Sequence, residues 1–284
     1  MTTLGNFLDL AGAAANPADA RVVLLPVPFE ATSSYRTGSA GGPAALLLAS
    51  RQVELFDAEL AYEPWVTAGG IATLDPLPVE NLDGATLSDL LEKQVAAWLD
   101  RNRFVVTLGG EHTSVVGAIR AHCRRWPDLT VLQMDAHSDL RDSYQDDAWS
   151  HACAMSRVLD HHPHLVQVGI RSQAQEERQR AEKMELSVVH AHEIAAVQRQ
   201  GNWISRVIDA CGEHVYVTLD CDVLDPSAMP ATGTPEPGGL TWSQLDQLLA
   251  VLCARRDVVG LDLSELAPVP GLVFPEYSLA KLIY

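Results

Sequence analysis

The feature that most constrains the fold is a regular alternation of short apolar runs with longer amphipathic stretches. The clearest apolar runs are residues 21–27, 104–108, 129–134, 165–170, 215–219 and 258–263. Each is nearly continuous in apolar residues, as is typical of strands that are buried on both faces. Strands that alternate with helices form a largely parallel sheet covered on both sides. The sequence therefore predicts an α/β fold with seven or eight strands.

The stretches between these runs have helical periodicity. Helices are predicted at residues 44–50, 87–99, 114–125, 153–161, 173–184, 203–211 and 241–255, with a weaker strand at 187–189. The last helix has a clear start, because Thr241 followed by Gln244 fits a capping box. The chain has 284 residues, of which 47% are apolar, and it contains no long linker. We expect one domain over residues 1–284, with residues 1–20 as an extension packed on the surface or at a subunit interface.

The charge of the chain narrows the classes of function. A net charge of −17 would repel nucleic acid and anionic membranes, and would favour cationic small molecules and divalent metals. No stretch is long and apolar enough to span a bilayer, and the N-terminus does not have the pattern of a secretory signal. We therefore expect a cytoplasmic protein. The five cysteines form no CxxC pair, which argues against a disulfide framework or a thiolate metal site.

Carboxylates and imidazoles follow four of the predicted strands. The segments are Gly109-Gly110-Glu111-His112, Asp135-Ala136-His137-Ser138-Asp139, Asp220-Cys221-Asp222 and Ser264-Glu265. Ligands of open parallel sheets bind beyond the carboxyl ends of the strands, so these segments are predicted to meet at one edge. Alternate residues of an extended segment face the same way, which would direct Asp220 and Asp222 together and turn Cys221 into the core.

A cluster of four carboxylates and two imidazoles needs a cation to balance its charge. Mixed oxygen and nitrogen donors suit Mn²⁺, Fe²⁺ or Zn²⁺. Six ligands exceed what one catalytic ion with an open position requires, but they suit two ions about 3.5–4 Å apart. An Asp-x-Asp pair alone is usually a solvated turn, whereas Gly-Gly-Glu-His, Asp-Ala-His-Ser-Asp and Asp-Cys-Asp together, each at a strand end, predict a binuclear site. Its expected ligands are His112, Asp135, His137, Asp139, Asp220 and Asp222.

With these motifs the sequence resembles the ureohydrolase family, which includes arginase and agmatinase. The likeness runs from about Arg21 to the C-terminus, through the segments above and GLDLSELAP at residues 260–268. It implies a three-layer α/β/α arginase-like fold with a central parallel eight-stranded sheet, two Mn²⁺ ions per subunit, and a homotrimer or homohexamer. It also implies that His112, Asp135, Asp139 and Asp222 bind one ion and Asp135, His137, Asp220 and Asp222 the other, with Asp135 and Asp222 bridging.

The same resemblance implies a catalytic role for three residues. Two cations would lower the pKa of a shared water molecule, and Asp139 would aim that water. Glu265 would pair with the substrate guanidinium, and His151 would carry a proton to the leaving amine. Glu111 stands where many relatives have Asp, and we expect it to orient the ligand beside it. Five other histidines are not expected to take part in the chemistry: His161, His162 and His164 as solvated surface residues, and His190 and His192 as structural residues.

The loop after Asp139 favours a cationic guanidino substrate. Arginases commonly have Asn at the position of Arg141, which here opens an acidic loop containing Asp142. Both residues are predicted to contact substrate. Residues 25–43 resemble the agmatinase branch, and residues 21–56 are also similar to aminopropylagmatine ureohydrolases, so agmatine and aminopropylagmatine both stay open.

Other functions remain as alternatives. A guanidinobutyrase would use Arg141 to bind the substrate carboxylate, and arginase is a further member of the same family. Metal-dependent deacetylases share the fold but typically use one Zn²⁺ and fewer ligands. A guanidino-binding protein with a lapsed site should have lost a ligand or Glu265, and this sequence retains them all.

Overall fold

In the computed structural model a single eight-stranded sheet forms the middle layer, and all of its strand pairs are parallel. The structure describes residues 5–161, 164–196 and 200–284. The strands are β1 (Val22–Val27), β2 (Ile71–Thr73), β3 (Phe104–Gly109), β4 (Thr130–Met134), β5 (Leu165–Ile170), β6 (Ser187–His190), β7 (His214–Asp220) and β8 (Asp257–Ser264). Their order across the sheet is β2-β1-β3-β8-β7-β4-β5-β6. The predicted eight-stranded parallel sheet is thus confirmed.

Helices cover both faces of the sheet. They are α1 (Gly42–Ser50), α2 (Pro64–Thr67), α3 (Gly84–Leu99), α4 (Val116–Arg125), α5 (Ala154–Leu159), α6 (Gln175–Lys183), α7 (Ala191–Ala195), α8 (Gln200–Ala210), α9 (Trp242–Arg255) and α10 (Phe274–Ile283). Short 3₁₀ turns occur at Phe7–Asp9, Gly12–Ala15, Ser39–Gly41, His112–Val115, His151–Cys153 and Cys221–Val223. None of the helices within the described ranges is both long and apolar enough to cross a bilayer.

Successive residues of each central strand enter two separate hydrophobic cores. Leu24 of β1 and Leu132 of β4 belong to the core under α1, α8, α9 and α10. Val23 and Val131, their neighbours in the chain, belong to the core under α3, α4 and α5. This division explains why the strands are apolar almost without interruption, because both faces of the pleat are removed from water.

The predicted elements are present, with small shifts at their ends. Thr241 caps α9 as expected: its Oγ1 accepts from the N–H of Gln244 at 3.3 Å, and Gln244 Oε1 accepts from the N–H of Thr241 at 2.9 Å. The predicted helix at residues 114–125 begins as a 3₁₀ turn and becomes α-helical only from Val116. Four elements were not predicted from the sequence: the three-residue edge strand β2 and the helices α2, α7 and α10.

The described part of the N-terminal extension, residues 5–20, packs on the first helix and the edge strand. Phe7 is buried, and the Asn6 side chain donates to the carbonyl of Ile71 at 3.1 Å. The N–H of Leu8 donates to Ser50 Oγ at 2.9 Å.

Candidate active site

The four strands that carry the polar motifs are neighbours in the centre of the sheet, in the order β3-β8-β7-β4. A cavity of about 330 Å³ opens at their carboxyl ends. Predicted site residues form its inner wall: His112, His137, Asp139, His151, Asp220, Asp222 and Glu265. Asp135 lies behind them and is fully buried. The structure therefore brings the six predicted metal ligands together with His151 and Glu265.

One group of donors surrounds the ring of His112. Its Nδ1 atom lies 2.8 Å from Asp139 Oδ2, 3.1 Å from Asp135 Oδ2 and 3.8 Å from Asp220 Oδ2. Asp135, Asp139 and His112 are also close enough to one another to share one metal ion.

A second group surrounds His137. Its Nδ1 atom lies 2.9 Å from Asp222 Oδ2 and 3.7 Å from Asp135 Oδ1. Asp135 thus reaches both imidazoles, as expected of a bridging ligand. Asp222, expected to contact both ions, approaches His137, whereas Asp220 approaches His112. The cause is the 3₁₀ turn at Cys221–Val223, which carries Asp222 beyond the end of β7.

The donors do not converge by regular strand alternation. The chain leaves β4 at Met134, and Asp139 has a positive φ of 53°. Glu265 likewise has a φ of 62°. This left-handed conformation costs a non-glycine residue about 1 kcal/mol or more, and such strain is often found at functional sites. Cys221 packs in the hydrophobic core, as predicted.

Buried polar residues behind the site fix the orientation of His112. Its Nε2 lies 2.9 Å from Thr218 Oγ1, and Thr218 Oγ1 donates to Asp262 Oδ1 at 2.9 Å. The direction of these two hydrogen bonds places a proton on Nε2, so that loss of the Nδ1 proton would leave the Nδ1 lone pair for a metal ion. Thr218 and Asp262 were missed from the sequence. Their signal is a polar residue inside an otherwise apolar buried strand.

A similar arrangement supports Asp135. Gln133 Nε2 donates to Asp135 Oδ2 at 2.7 Å and to the carbonyl of His137 at 3.1 Å. Gln167 Nε2 in turn donates to Gln133 Oε1 at 2.6 Å. Both glutamines are fully buried and were also missed. They hold the first residues after β4 against β5.

The electrostatics of the cluster fit a bound cation. Burial raises the pKa of Asp220 well above its usual range, and the charges of Asp222 and Asp135 add to that rise. Burial and Asp135 raise the pKa of Asp139 to about 6. Burial alone would lower the pKa of His137, but Asp222 and Asp135 raise it to about 12. Without a metal ion the imidazoles must carry the balancing charge, so divalent cations would displace those protons.

His151 also lines the cavity, where Thr32 holds its ring. Its ring Nδ1 lies 3.1 Å from Thr32 Oγ1, which donates to Glu111 Oε1 at 2.9 Å. Glu111 also accepts from the N–H groups of Ala31 and Thr32 at 2.9 and 2.7 Å. The expectation that Glu111 orients His112 is therefore wrong: its carboxylate instead fixes the loop that positions His151.

The protonation state of His151 follows from its surroundings. Burial, followed by the neighbouring His137 and His112 imidazoles, lowers the pKa of His151 to about 4. The ring is therefore neutral near pH 7. Because its Nδ1–H donates to Thr32, we assign the free lone pair to Nε2, which can accept a proton before it donates one.

Glu265 is anchored next to the first group of donors. The N–H of His112 donates to Glu265 Oε1 at 2.7 Å, and the N–H of Glu265 donates to the carbonyl of Gly110 at 2.8 Å. Burial and the charge of Glu111 raise the pKa of Glu265 to about 8. A cationic partner in the cavity would restore its charged form.

The two predicted residues of the acidic loop have different positions. Arg141 lines the cavity, but its guanidinium lies over the Tyr144 ring at 5.1 Å and 3.4 Å from Glu176 Oε1. Asp142 does not line the cavity, and this prediction is corrected. Its side chain is 87% exposed, and its carboxylate pairs with Arg180.

Other histidines were predicted to be structural or solvated, and those that the structure describes lie away from the donor groups. His190 Nε2 lies 2.8 Å from Arg178 Nη1, and its ring stacks on His192 at 5.4 Å between centroids. His164 Nδ1 lies 2.6 Å from Thr130 Oγ1. His162 lies outside the described residues.

Known proteins resemble this chain in sequence and in fold. The chain is 41% identical over 273 residues to an N(1)-aminopropylagmatine ureohydrolase of Synechocystis, covering 94% of this chain and 88% of the relative. It is 35% identical over 258 residues to an agmatinase of Bacillus cereus, covering 88% and 85%. The solved structure of an agmatine ureohydrolase of Thermoplasma volcanium superimposes with a TM-score of 0.84 at 28% identity, covering 100% and 92%. Residues 20–271 match the Arginase family, and the chain belongs to that family.

Proposed function

We propose that this protein hydrolyses a linear guanidino amine to urea and a polyamine. The substrate would be agmatine, which yields putrescine, or aminopropylagmatine, which yields spermidine. The observation that carries the proposal is the convergence of six metal-type donors and the Glu265 carboxylate in one cavity. Relatives named agmatinase and aminopropylagmatine ureohydrolase support the same reaction.

Two divalent cations would be held by the six donors, and we propose Mn²⁺ for both because oxygen and imidazole ligands suit it. His112 with Asp135, Asp139 and Asp220 would hold one ion. His137 with Asp135 and Asp222 would hold the other. When bound, the ions would neutralise the carboxylates and lower the pKa of a water molecule in the site towards neutrality.

The protein groups then orient the reactants. Glu265 accepts two N–H bonds from the guanidinium and fixes the plane of its carbon atom. Asp139 accepts a hydrogen bond from the attacking water and directs its oxygen at that carbon. His151 takes up through Nε2 a proton that the attacking water loses, and delivers it to the leaving nitrogen as the C–N bond breaks, so the product leaves as a neutral amine rather than as an anion. Thr32 and Glu111 keep the ring in place.

The reaction is tested by urea release from the manganese-loaded protein. Agmatine, aminopropylagmatine, guanidinobutyrate and arginine are offered at equal concentrations, with Asp139→Ala as the inactive control. We expect urea from the two amines and none from the variant. Urea mainly from guanidinobutyrate or arginine would make the substrate assignment wrong. No urea from any of the four, with metal bound, would refute the proposed reaction.

Assembly as a homotrimer or homohexamer and a cytoplasmic location stay predictions.

A further inference from the structure

The outer part of the cavity contains a carboxylate that neither the donor groups nor the proposed guanidinium contact uses. Glu236 lines the cavity and is half-buried. Within the ranges that the structure describes, its carboxylate has no hydrogen-bond or ion-pair partner, although its backbone carbonyl has one. A partly desolvated charge without a partner is unfavourable, and a cationic ligand would remove that cost.

The other charged side chains of the outer wall are already satisfied. Arg36 donates to the carbonyls of Thr232, Ala267 and Pro268. Arg141 is occupied by the aromatic and acidic contacts described above. Glu177 accepts two backbone N–H groups, at 3.0 and 2.6 Å. Glu236 is therefore the outer carboxylate that is open to a ligand.

The backbone of Glu236 is fixed at a defined place relative to Glu265. A Cβ atom built on Gly233 would lie 3.8 Å from Glu265 Oε2, so this glycine is adjacent to the proposed guanidinium contact. Glu236 follows three residues later, at most about 10 Å along the chain. A four-carbon chain between a guanidinium and an ammonium group has a comparable length.

Arg171 holds that segment in place. Its Nε and Nη2 atoms donate to the carbonyl of Glu236 at 3.2 and 2.9 Å, and Nη2 also donates to the carbonyl of Asp222 at 2.6 Å. One guanidinium thus ties the backbone of Glu236 to the backbone of a predicted metal ligand. A side chain on such an anchored segment is well placed to determine specificity.

We propose that Glu236 binds the ammonium group at the amine end of the substrate. The cavity would then recognise both charges of a dication, the guanidinium at Glu265 and the alkylammonium at Glu236. A substrate that ends in a carboxylate would be disfavoured by charge repulsion. This inference rests on the proposed ureohydrolase reaction and identifies the residue that selects its substrate.

The variant Glu236→Gln tests the contact, because it removes the charge and keeps the size and the backbone bonds to Arg171. Four guanidines are compared: agmatine, aminopropylagmatine, butylguanidine, which lacks an amine, and guanidinobutyrate. We expect KM for the two amines to rise roughly tenfold, with kcat near the wild-type value, because a charge-assisted hydrogen bond is lost. KM for butylguanidine should not change, and KM for guanidinobutyrate should fall. Glu213→Gln is the matched control, since it removes an exposed carboxylate at the amino end of β7.

The outcomes separate this inference from the proposed reaction. A larger effect on one of the two amines supports the contact and identifies the ammonium that Glu236 binds. An equal rise in KM for butylguanidine, or no rise for either amine, would overturn the role of Glu236 while the wild type still releases urea. If the wild type releases urea from none of the four guanidines, the proposed reaction fails, and the role of Glu236 fails with it.

Discussion

Replacing Thr218 with Val should weaken both the fold and the metal centre. Thr218 is fully buried in β7, and its hydroxyl connects His112 Nε2 to Asp262 Oδ1. Valine has nearly the same shape but removes the bond that the hydroxyl makes to His112 Nε2 and the bond that it makes to Asp262 Oδ1. Each lost bond at a buried polar group costs about 1–3 kcal/mol, so the free energy of unfolding of the metal-free protein should fall by roughly 2–6 kcal/mol.

The effect on metal binding follows from the orientation of the ring. Without the Thr218 hydroxyl, His112 loses the acceptor that keeps a proton on Nε2 and thereby reserves Nδ1 for a metal ion. Loss of such a partner typically lowers metal affinity about 10–100-fold.

Chemical unfolding of the metal-free protein and calorimetric titration with Mn²⁺ measure the two effects separately. Thr218→Ser is the matched control, since it keeps the hydroxyl and loses one methyl group, at a cost of about 1 kcal/mol. Unchanged Mn²⁺ affinity in Thr218→Val would refute the orienting role, whatever the change in stability. Equal stability of the Val and Ser variants would show that the buried polar groups find other partners.

Three further perturbations test other parts of the structure. Glu265→Gln should raise KM for agmatine roughly 10- to 100-fold, because a charge-assisted contact is lost, while bound Mn²⁺ measured by elemental analysis stays at the wild-type level; equal loss of both would make Glu265 structural. Arg171→Lys should lower the unfolding free energy by about 2 kcal/mol, because an ammonium cannot reproduce the fork of bonds to backbone carbonyls; unchanged denaturant midpoints would contradict this. Burial lowers the pKa of His122 to about 4 from an ordinary value of 6.5. As the pH falls, the imidazole of His122 is therefore protonated in the unfolded chain before it is protonated in the folded protein. The stability present above pH 6.5 is lost as the pH falls towards 4. The shift corresponds to about 3 kcal/mol, and His122→Phe should flatten the acid side of the stability profile by that amount; parallel profiles would refute it.

The sequence predicts the layers of the fold because its strongest signal is burial on both faces of the sheet. Thr241 and Gln244 give a local signal for the start of α9, and the structure contains that capping box. No comparable signal marks β2, whose three residues pair only at the sheet edge with β1. The helix α10 begins Phe274-Pro275, and proline in the first turn is a local start signal for this helix.

The sequence predicts which residues form the site, but it does not predict how they are arranged. Donor residues after four strand ends predict convergence, because parallel strands share one carboxyl edge. Regular alternation does not predict the positive φ of Asp139 or the turn that moves Asp222 towards His137, since both depend on tertiary contacts. The place of Asp142 was wrong for the same reason: its partner, Arg180, lies 38 residues away on α6.

The binuclear centre is tested most directly by anomalous X-ray scattering from crystals of the manganese-loaded protein. Two Mn²⁺ peaks are expected at the carboxyl edge of the sheet, one beside Nδ1 of His112 and one beside Nδ1 of His137. Asp135 should contact both ions, Asp220 the ion at His112, and Asp222 the ion at His137. A single peak, or two peaks that leave either imidazole without a metal, would contradict the arrangement of ligands proposed here.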